Sequence, residues 1–312
     1  MPGRRERGRA FGGPILTTTT HLTAWGVLWR VLLFVALWLA LVIVTGPLAP
    51  PRLPWSSVPM LLAALVAGWL LLRMDGGPPG EAWGAPAALG FPLRLRGRAG
   101  PLPGLGAGLA LGVAVALLAV VLIALVGALR WAPDRGDLSD WMRIGAATLW
   151  LLAIPAAAEE ALLRGYPLWL LAGAWGPWPA ILLTSAVFSL LHLANPEVGW
   201  VGLVNIAAAG VFLGALCLRT GGLWWPTGAH LGWNWAQAFL ADVPVSGLEL
   251  VDAPLLEPCS AGPAWLSGGA FGPEGSVLAT AAMLAAAAWT WRTPRLASEA
   301  QGRRDPGGTE GE

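Results

Sequence analysis

The chain reads as an all-α polytopic membrane protein with about eight transmembrane helices and both termini on the cytoplasmic side. Three observations predict this. Of its 312 residues, 56% are hydrophobic and only 12% are charged, roughly half the charged share of a soluble domain. Apolar runs of about 20 residues, the length that crosses a bilayer, recur along the chain. Arginine gathers in alternate connecting segments, as the positive-inside rule requires.

The elements follow in order. A tail at 1–22 carries Arg4, Arg5, Arg7 and Arg9, with His21 as a solvated residue beside a threonine run. The apolar run at 25–46 is too long for a signal-peptide core and lacks a small-x-small cleavage site, so it is an uncleaved first span. A short span at 55–72 leads into a loop at 73–103 that holds Arg73, Arg94, Arg96 and Arg98. Spans follow at 104–129 and 143–173, the second long and interrupted by Pro155 and Pro167, with Asp134, Asp137 and Asp140 between them. Further spans fall at 178–194, 199–218 and 222–241, with Arg219 in the last short turn. A loop at 242–274 holds Asp242, Glu249, Asp252, Glu257 and Glu274, and is expected to be external and at least partly ordered. A final span at 275–292 ends in a tail at 294–312; Arg292, Arg295, Arg303 and Arg304 mark this end. The expected organisation is a helical body at 23–293 between two disordered cytoplasmic tails.

Composition also excludes functions. The net charge of +1 leaves no basic excess for nucleic acid. Cys217 and Cys259 lie in unlike surroundings and offer neither a disulfide framework nor a metal-ligand pair. No internal repeat supports an inverted-repeat transporter. Lysine is absent, and the abundance of Ala, Gly, Pro and Trp points to a GC-rich bacterial genome. The expected location is therefore a bacterial cytoplasmic membrane, with lipid as one partner.

Within this apolar background a few polar residues stand out. Glu159, Glu160 and Arg164 lie inside one span, where ionisable groups are expensive and mark function. Glu160 and Arg164 are four apart, in the favourable order for an intrahelical ion pair. Glu159 points about 100° away around the helix. His192 falls in the next span, four residues after Phe188, and His230 and Asn234 share one face of a third. At 1.5 Å per residue, Glu159 lies roughly 20 Å from a helix end at Gly173, His192 about 20 Å from Trp178, and His230 and Asn234 roughly 12 and 18 Å from Gly222. The agreement requires the Glu159 helix to continue, kinked, through Tyr166-Pro167-Leu168-Trp169. A helix ending at Arg164 would leave Glu159 too shallow to meet His192. Trp233 and Trp235 flank Asn234 and could shape a groove. Asn205 and Thr227 are expected to make interhelical hydrogen bonds.

In order and spacing, Glu159-Glu160-x-x-x-Arg164, Phe188-x-x-x-His192 and His230-x-x-x-Asn234 resemble the motifs of the CPBP family. These are the CAAX-protease and bacteriocin-processing intramembrane endopeptidases, also called Abi. The phrase Arg219-Thr220-Gly221-Gly222-Leu223-Trp224 before the last histidine also looks like that family. The resemblance covers about 150–240, inside an expected catalytic core at about 143–241.

The resemblance implies hydrolysis of a peptide bond in a membrane-associated protein or peptide. It casts Glu159 as the base that activates water, and His192 as sharing that water or shuttling a proton. His230 and Asn234 would hold the oxyanion, and Arg164 would neutralise Glu160. Geometry alone permits exchanging His192 with His230. The family is described both as metalloproteases and as glutamate enzymes without metal. Glu159, His192 and His230 could supply the three protein ligands of a catalytic zinc or other divalent ion, although no spacing forces coordination over hydrogen bonding. The competing reading is a non-enzymatic protein of bacteriocin self-immunity or scaffolding, in which the same residues hold helices together.

Overall fold

The computed structural model describes residues 22–74, 101–294 and 296. His21, nearly all of both predicted tails, and the arginines at 4–9, 94–98 and beyond Arg292 lie outside the described residues. The described chain is mostly helical. Its main helices are α1 (Ala24–Thr45), α2 (Val58–Met74), α3 (Pro101–Leu125), α4 (Leu138–Arg164), α5 (Tyr166–Trp175), α6 (Pro177–Leu191), α7 (Trp200–Thr220), α8 (Trp224–Trp235) and α9 (Val277–Arg292). A helix occupies every apolar interval read from the sequence. Among the described residues, five segments are long and apolar enough to cross a membrane: Ala24–Leu48, Trp55–Met74, Leu102–Leu125, Leu138–Trp175 and Trp200–Thr220. The others are shorter; α8, at 12 residues, extends about 18 Å against roughly 30 Å of hydrocarbon.

Local chemistry sets the boundaries. Thr23 caps α1, its hydroxyl accepting from the Gly26 N–H at 3.1 Å. Asp137 caps α4 by accepting from the Asp140 N–H at 2.9 Å. Pro155 is absorbed inside α4, but the expected continuation of that helix past Arg164 is corrected. The break falls at Gly165, with φ −71° and ψ −126°. A Cβ at that position would lie 2.3 Å from the Ala161 carbonyl oxygen, so the turn requires glycine. Pro167 then sits in the first turn of α5, where its missing N–H removes no helical bond. From Tyr166 to Ala172 every residue of α5 is buried. Protein rather than lipid surrounds this helix: Phe34 of α1, Ala64 of α2, Ile181 and Phe188 of α6 and Cys217 of α7 share its core.

The helix that carries His230 is seated by glycine. Gly108 and Gly112 of α3 face Gly228 and Gly232 of α8, so the two backbones touch. A Cβ on Gly112 would lie 2.0 Å from the Ala229 oxygen, and one on Gly232 2.2 Å from the Leu109 oxygen. Without a hydrophobic driving force between helices in lipid, such close approach is what holds a pair together. His230 lies between the two α8 glycines and inherits its placement from this contact.

Outside the helices the all-α expectation needs one amendment. Strands β1 (Leu129–Pro133) and β2 (Leu256–Ser260) form a two-stranded antiparallel sheet with Leu129 opposite Ser260. It ties the 242–274 loop to the segment before α4, and the Trp131 indole N–H donates to the Ala241 carbonyl at 2.7 Å. Cys217 is buried, Cys259 lies exposed on β2, and both are free thiols.

Candidate active site

His230 is the node of the site. Its Nδ1 lies 2.9 Å from Glu160 Oε1, and its Nε2 lies 3.8 Å from Glu159 Oε2. Arg164 Nη1–H donates to the same Glu160 oxygen at 3.0 Å, and neither Arg164 nor Glu160 has any exposed side-chain surface. The expected i, i+4 pair is therefore present, but Glu160 also reaches across to α8. The Arg164 guanidinium lies 4.3 Å from the centroid of the Phe188 ring. That ring meets His192 edge-on at 4.7 Å and His230 at 5.9 Å. Phe188 thus stands between the two histidines and covers the buried charge, a more specific role than helix packing.

The hydrogen bonds assign tautomers. His192 Nδ1 is 2.8 Å from the Phe188 carbonyl oxygen, which can only accept, so the proton is on Nδ1. The carboxylate beside His230 Nδ1 places a proton there by the same argument. In the neutral form of either ring, Nε2 is the nitrogen left as an acceptor. His192 caps the C-terminal end of α6 and is partly exposed. Its ring meets that of Phe188, which in turn meets His230 beside Glu159. Asn234 lies one turn beyond His230, partly exposed, and its amide makes no hydrogen bond among the described residues. Glu159 Oε2, Glu160 Oε2 and Arg164 Nε and Nη2 are buried without a hydrogen-bond partner in the protein.

This placement corrects the depth argument. The α4 helix ends at Arg164, and Glu159 still enters the site because its imidazole neighbour is His230 of α8. The metal-ligand set fares differently. Among the described residues, Asp242, Asp252 and Glu257 are the trio whose ligand atoms lie within 4.8 Å of one another. Glu159, His192 and His230 do not converge in that way, so they do not fit a three-ligand ion.

The neighbouring polar residues are anchors. The Trp233 indole N–H donates to Glu274 Oε1 at 2.7 Å and that of Trp235 to the Gly145 carbonyl at 2.8 Å, so both rings flanking Asn234 pin α8. Asn205 makes the expected interhelical bond, its Oδ1 accepting from the Thr280 hydroxyl of α9, and its Nδ2–H groups donate to the carbonyls of Glu274 and Ser276 just before α9 at 2.7 Å each. Thr227 does not: its buried hydroxyl has no partner. Sequence reasoning missed the buried position of Glu274, which it counted among the loop acids. The Cys217 thiol, 3.5 Å from the Arg164 carbonyl oxygen, was also missed.

Residues 141–236 match the family model described as type II CAAX prenyl endopeptidase Rce1-like. Over that segment the chain is similar to the CAAX-protease family. The matched segment contains Glu159, Glu160, Arg164, His192, His230 and Asn234. It runs from the first turns of α4 to the end of α8, so the family region is the part of the fold built around the His230 node. Neither curated proteins nor solved structures yield a match.

Proposed function

We propose that this chain is an intramembrane endopeptidase that hydrolyses a peptide bond of a membrane-associated protein or peptide, as CAAX prenyl proteases do. Its catalytic core lies at about 143–241 within a helical body at 23–293, and its setting is a bacterial cytoplasmic membrane. One observation carries the reading: His230 is held by Glu160 on one ring nitrogen while the other faces Glu159 at 3.8 Å.

That separation is too long for a direct hydrogen bond, and it is one that a water admitted between the two atoms would bridge. Glu159 suits the role of base. Its side chain is 34% exposed, whereas that of Glu160 is fully buried and paired. As water oxygen attacks the scissile carbonyl carbon, Glu159 takes one of its protons. His230 Nε2 orients the water by accepting a hydrogen bond from its other O–H. The Nδ1–H bond to Glu160 keeps the imidazole in that orientation, and Arg164 balances the Glu160 charge. The tetrahedral oxyanion receives the Asn234 amide N–H, a donor of the kind worth about 3 kcal/mol of barrier. When the C–N bond breaks, Glu159 returns its proton to the leaving amine. His192 is placed to relay a proton at the edge of the site. Relative to the sequence reading, His230 takes the water-holding role given there to His192 and leaves the oxyanion to Asn234, while His192 keeps the proton relay; the place of His230 beside Glu159 favours this assignment. No step runs through a metal ion, because the donor atoms do not converge on one.

The test is a comparison of peptide termini across the membrane proteome between wild-type and Glu159→Gln cells. The variant keeps shape and loses the base, so cleavage should fall by at least about 100-fold while the protein accumulates normally. A termini profile identical to wild type would overturn the assignment.

A further inference from the structure

Glu274 lies just before α9, in the stretch that sequence reading gives to an acidic external loop, yet it is only 5% exposed. Its Oε1 accepts from Trp233 Nε1–H at 2.7 Å and from Gln237 Nε2–H at 3.3 Å. Its Oε2 accepts from the Ser246 hydroxyl, and its backbone carbonyl accepts from Asn205 Nδ2–H at 2.7 Å. No arginine or histidine pairs with it among the described residues. Burying a carboxylate is costly unless its oxygens are hydrogen-bonded, and here α8, the short helix Ala236–Leu240 that follows it and the 242–274 loop each send it a donor.

Two of those donors lead to the active site. Trp233 lies on α8 between His230 and Asn234. Ser246 leads to the other histidine: its carbonyl accepts from Asn195 Nδ2–H at 3.2 Å, and the Asn195 backbone N–H donates to the His192 carbonyl at 3.0 Å. Ser246 holds φ at +50°, a left-handed conformation that a serine adopts only where its surroundings impose it. One buried carboxylate is therefore linked both to the helix that carries His230 and Asn234 and to the turn that follows His192.

We propose that Glu274 is a positioning residue: through Trp233 and through Ser246–Asn195 it holds His230, Asn234 and His192 in one register, so that a loop outside the family region sets the geometry of the site. The kinetic consequence rests on the protease reading above; the geometric one does not. Glu274→Gln, Trp233→Phe and Ser246→Ala are compared with the exposed control Glu249→Gln in the full chain in micelles. The chain has three histidines, so histidine-selective ¹⁵N labelling resolves the site rings directly. Glu274→Gln and Trp233→Phe should displace the His230 ring signals, and Glu274→Gln and Ser246→Ala those of His192. Turnover should fall by about 10- to 100-fold at unchanged KM, with the melting temperature close to that of the control. Histidine signals and turnover that match the control would overturn the proposal, as would a loss of turnover that only tracks loss of folded protein. Histidine signals that move in a protein whose wild type cleaves nothing would uphold positioning and overturn the protease reading. If Glu274→Gln fails to fold, Trp233→Phe decides, since it removes one donor and keeps an aromatic ring.

Discussion

Glu159 and Glu160 in α4, and Asp242, Asp252 and Glu257 beside the β1–β2 sheet, are both groups of carboxylates at close quarters, yet among the described residues only the first has an arginine and a histidine built against it. Glu160 is enclosed with Arg164 and His230 at 3.0 and 2.9 Å. The outer trio has ligand atoms within 4.8 Å of one another and no arginine or histidine paired to it among the described residues. The first group lies within membrane-spanning helices, where water cannot screen charge and each ionised group must be matched by the protein. The second lies outside those helices, with Asp252 and Glu257 exposed, where solvent and protonation can relieve the repulsion. Asp242 shows that relief: its carboxyl is pushed up to about 6, first by burial and then by Asp252, Glu257 and Asp134, against the opposing hydrogen bond from the Ala253 N–H.

The largest effect that should break this contrast is Arg164→Ala. It strands Glu160 as a buried charge with only an imidazole beside it, a change that costs about 3–5 kcal/mol when one partner of a buried pair is removed. Thermal unfolding in detergent should show a large drop in melting temperature or no folded protein at all. A variant as stable as wild type would mean that the pair is not desolvated as the structure places it.

A smaller, pH-dependent effect should appear at the outer cluster. Because the folded-state pKa of Asp242 is raised from its ordinary 3.8 to about 6, the folded state binds the extra proton in that window. The resulting stabilisation is fully present below 3.8 and lost as pH rises through about 6. Asp242→Asn keeps the acceptor for the Ala253 N–H and removes the charge. It should therefore be more stable than wild type at pH 7, and the two should converge near pH 4. Melting temperatures measured across that range check the sign; parallel curves would rule out Asp242 as the source. The smallest expected effect is none: exhaustive chelation of purified active protein should leave cleavage unchanged. Loss of activity that zinc restores would show that the acid and the two imidazoles converge more closely than the structure has them.

Much of the site was legible because its parts are local. The Glu160–Arg164 pair needs only four residues of helix, and His230 and Asn234 need one more short stretch. The partner of His230 was not legible in the same way. Glu160 lies 70 positions earlier in the chain, and the packing of α8 against α4, with α8 seated on α3 through Gly112 and Gly232, brings the two together. The break at Gly165 was missed because Pro167 is compatible both with a kinked helix and with the first turn of a new one. What distinguishes them is the Ala161 carbonyl, which leaves no room for a Cβ at residue 165. Glu274 was misplaced because an acid in a Pro- and Gly-rich stretch carries no local sign of the donors that enclose it.

By itself the amino-acid sequence determined the membrane class, the positions of the helices and the residue types able to do hydrolytic chemistry. Backbone groups in lipid must be satisfied within the helix, so hydropathy and helical spacing alone suffice for that much. Only the tertiary structure decided which imidazole faces Glu159, where α4 stops, and that a loop carboxylate reaches the site helix. These are contacts between distant segments, set by how closely backbones approach and by which buried donors find acceptors, and no periodicity along the chain encodes them.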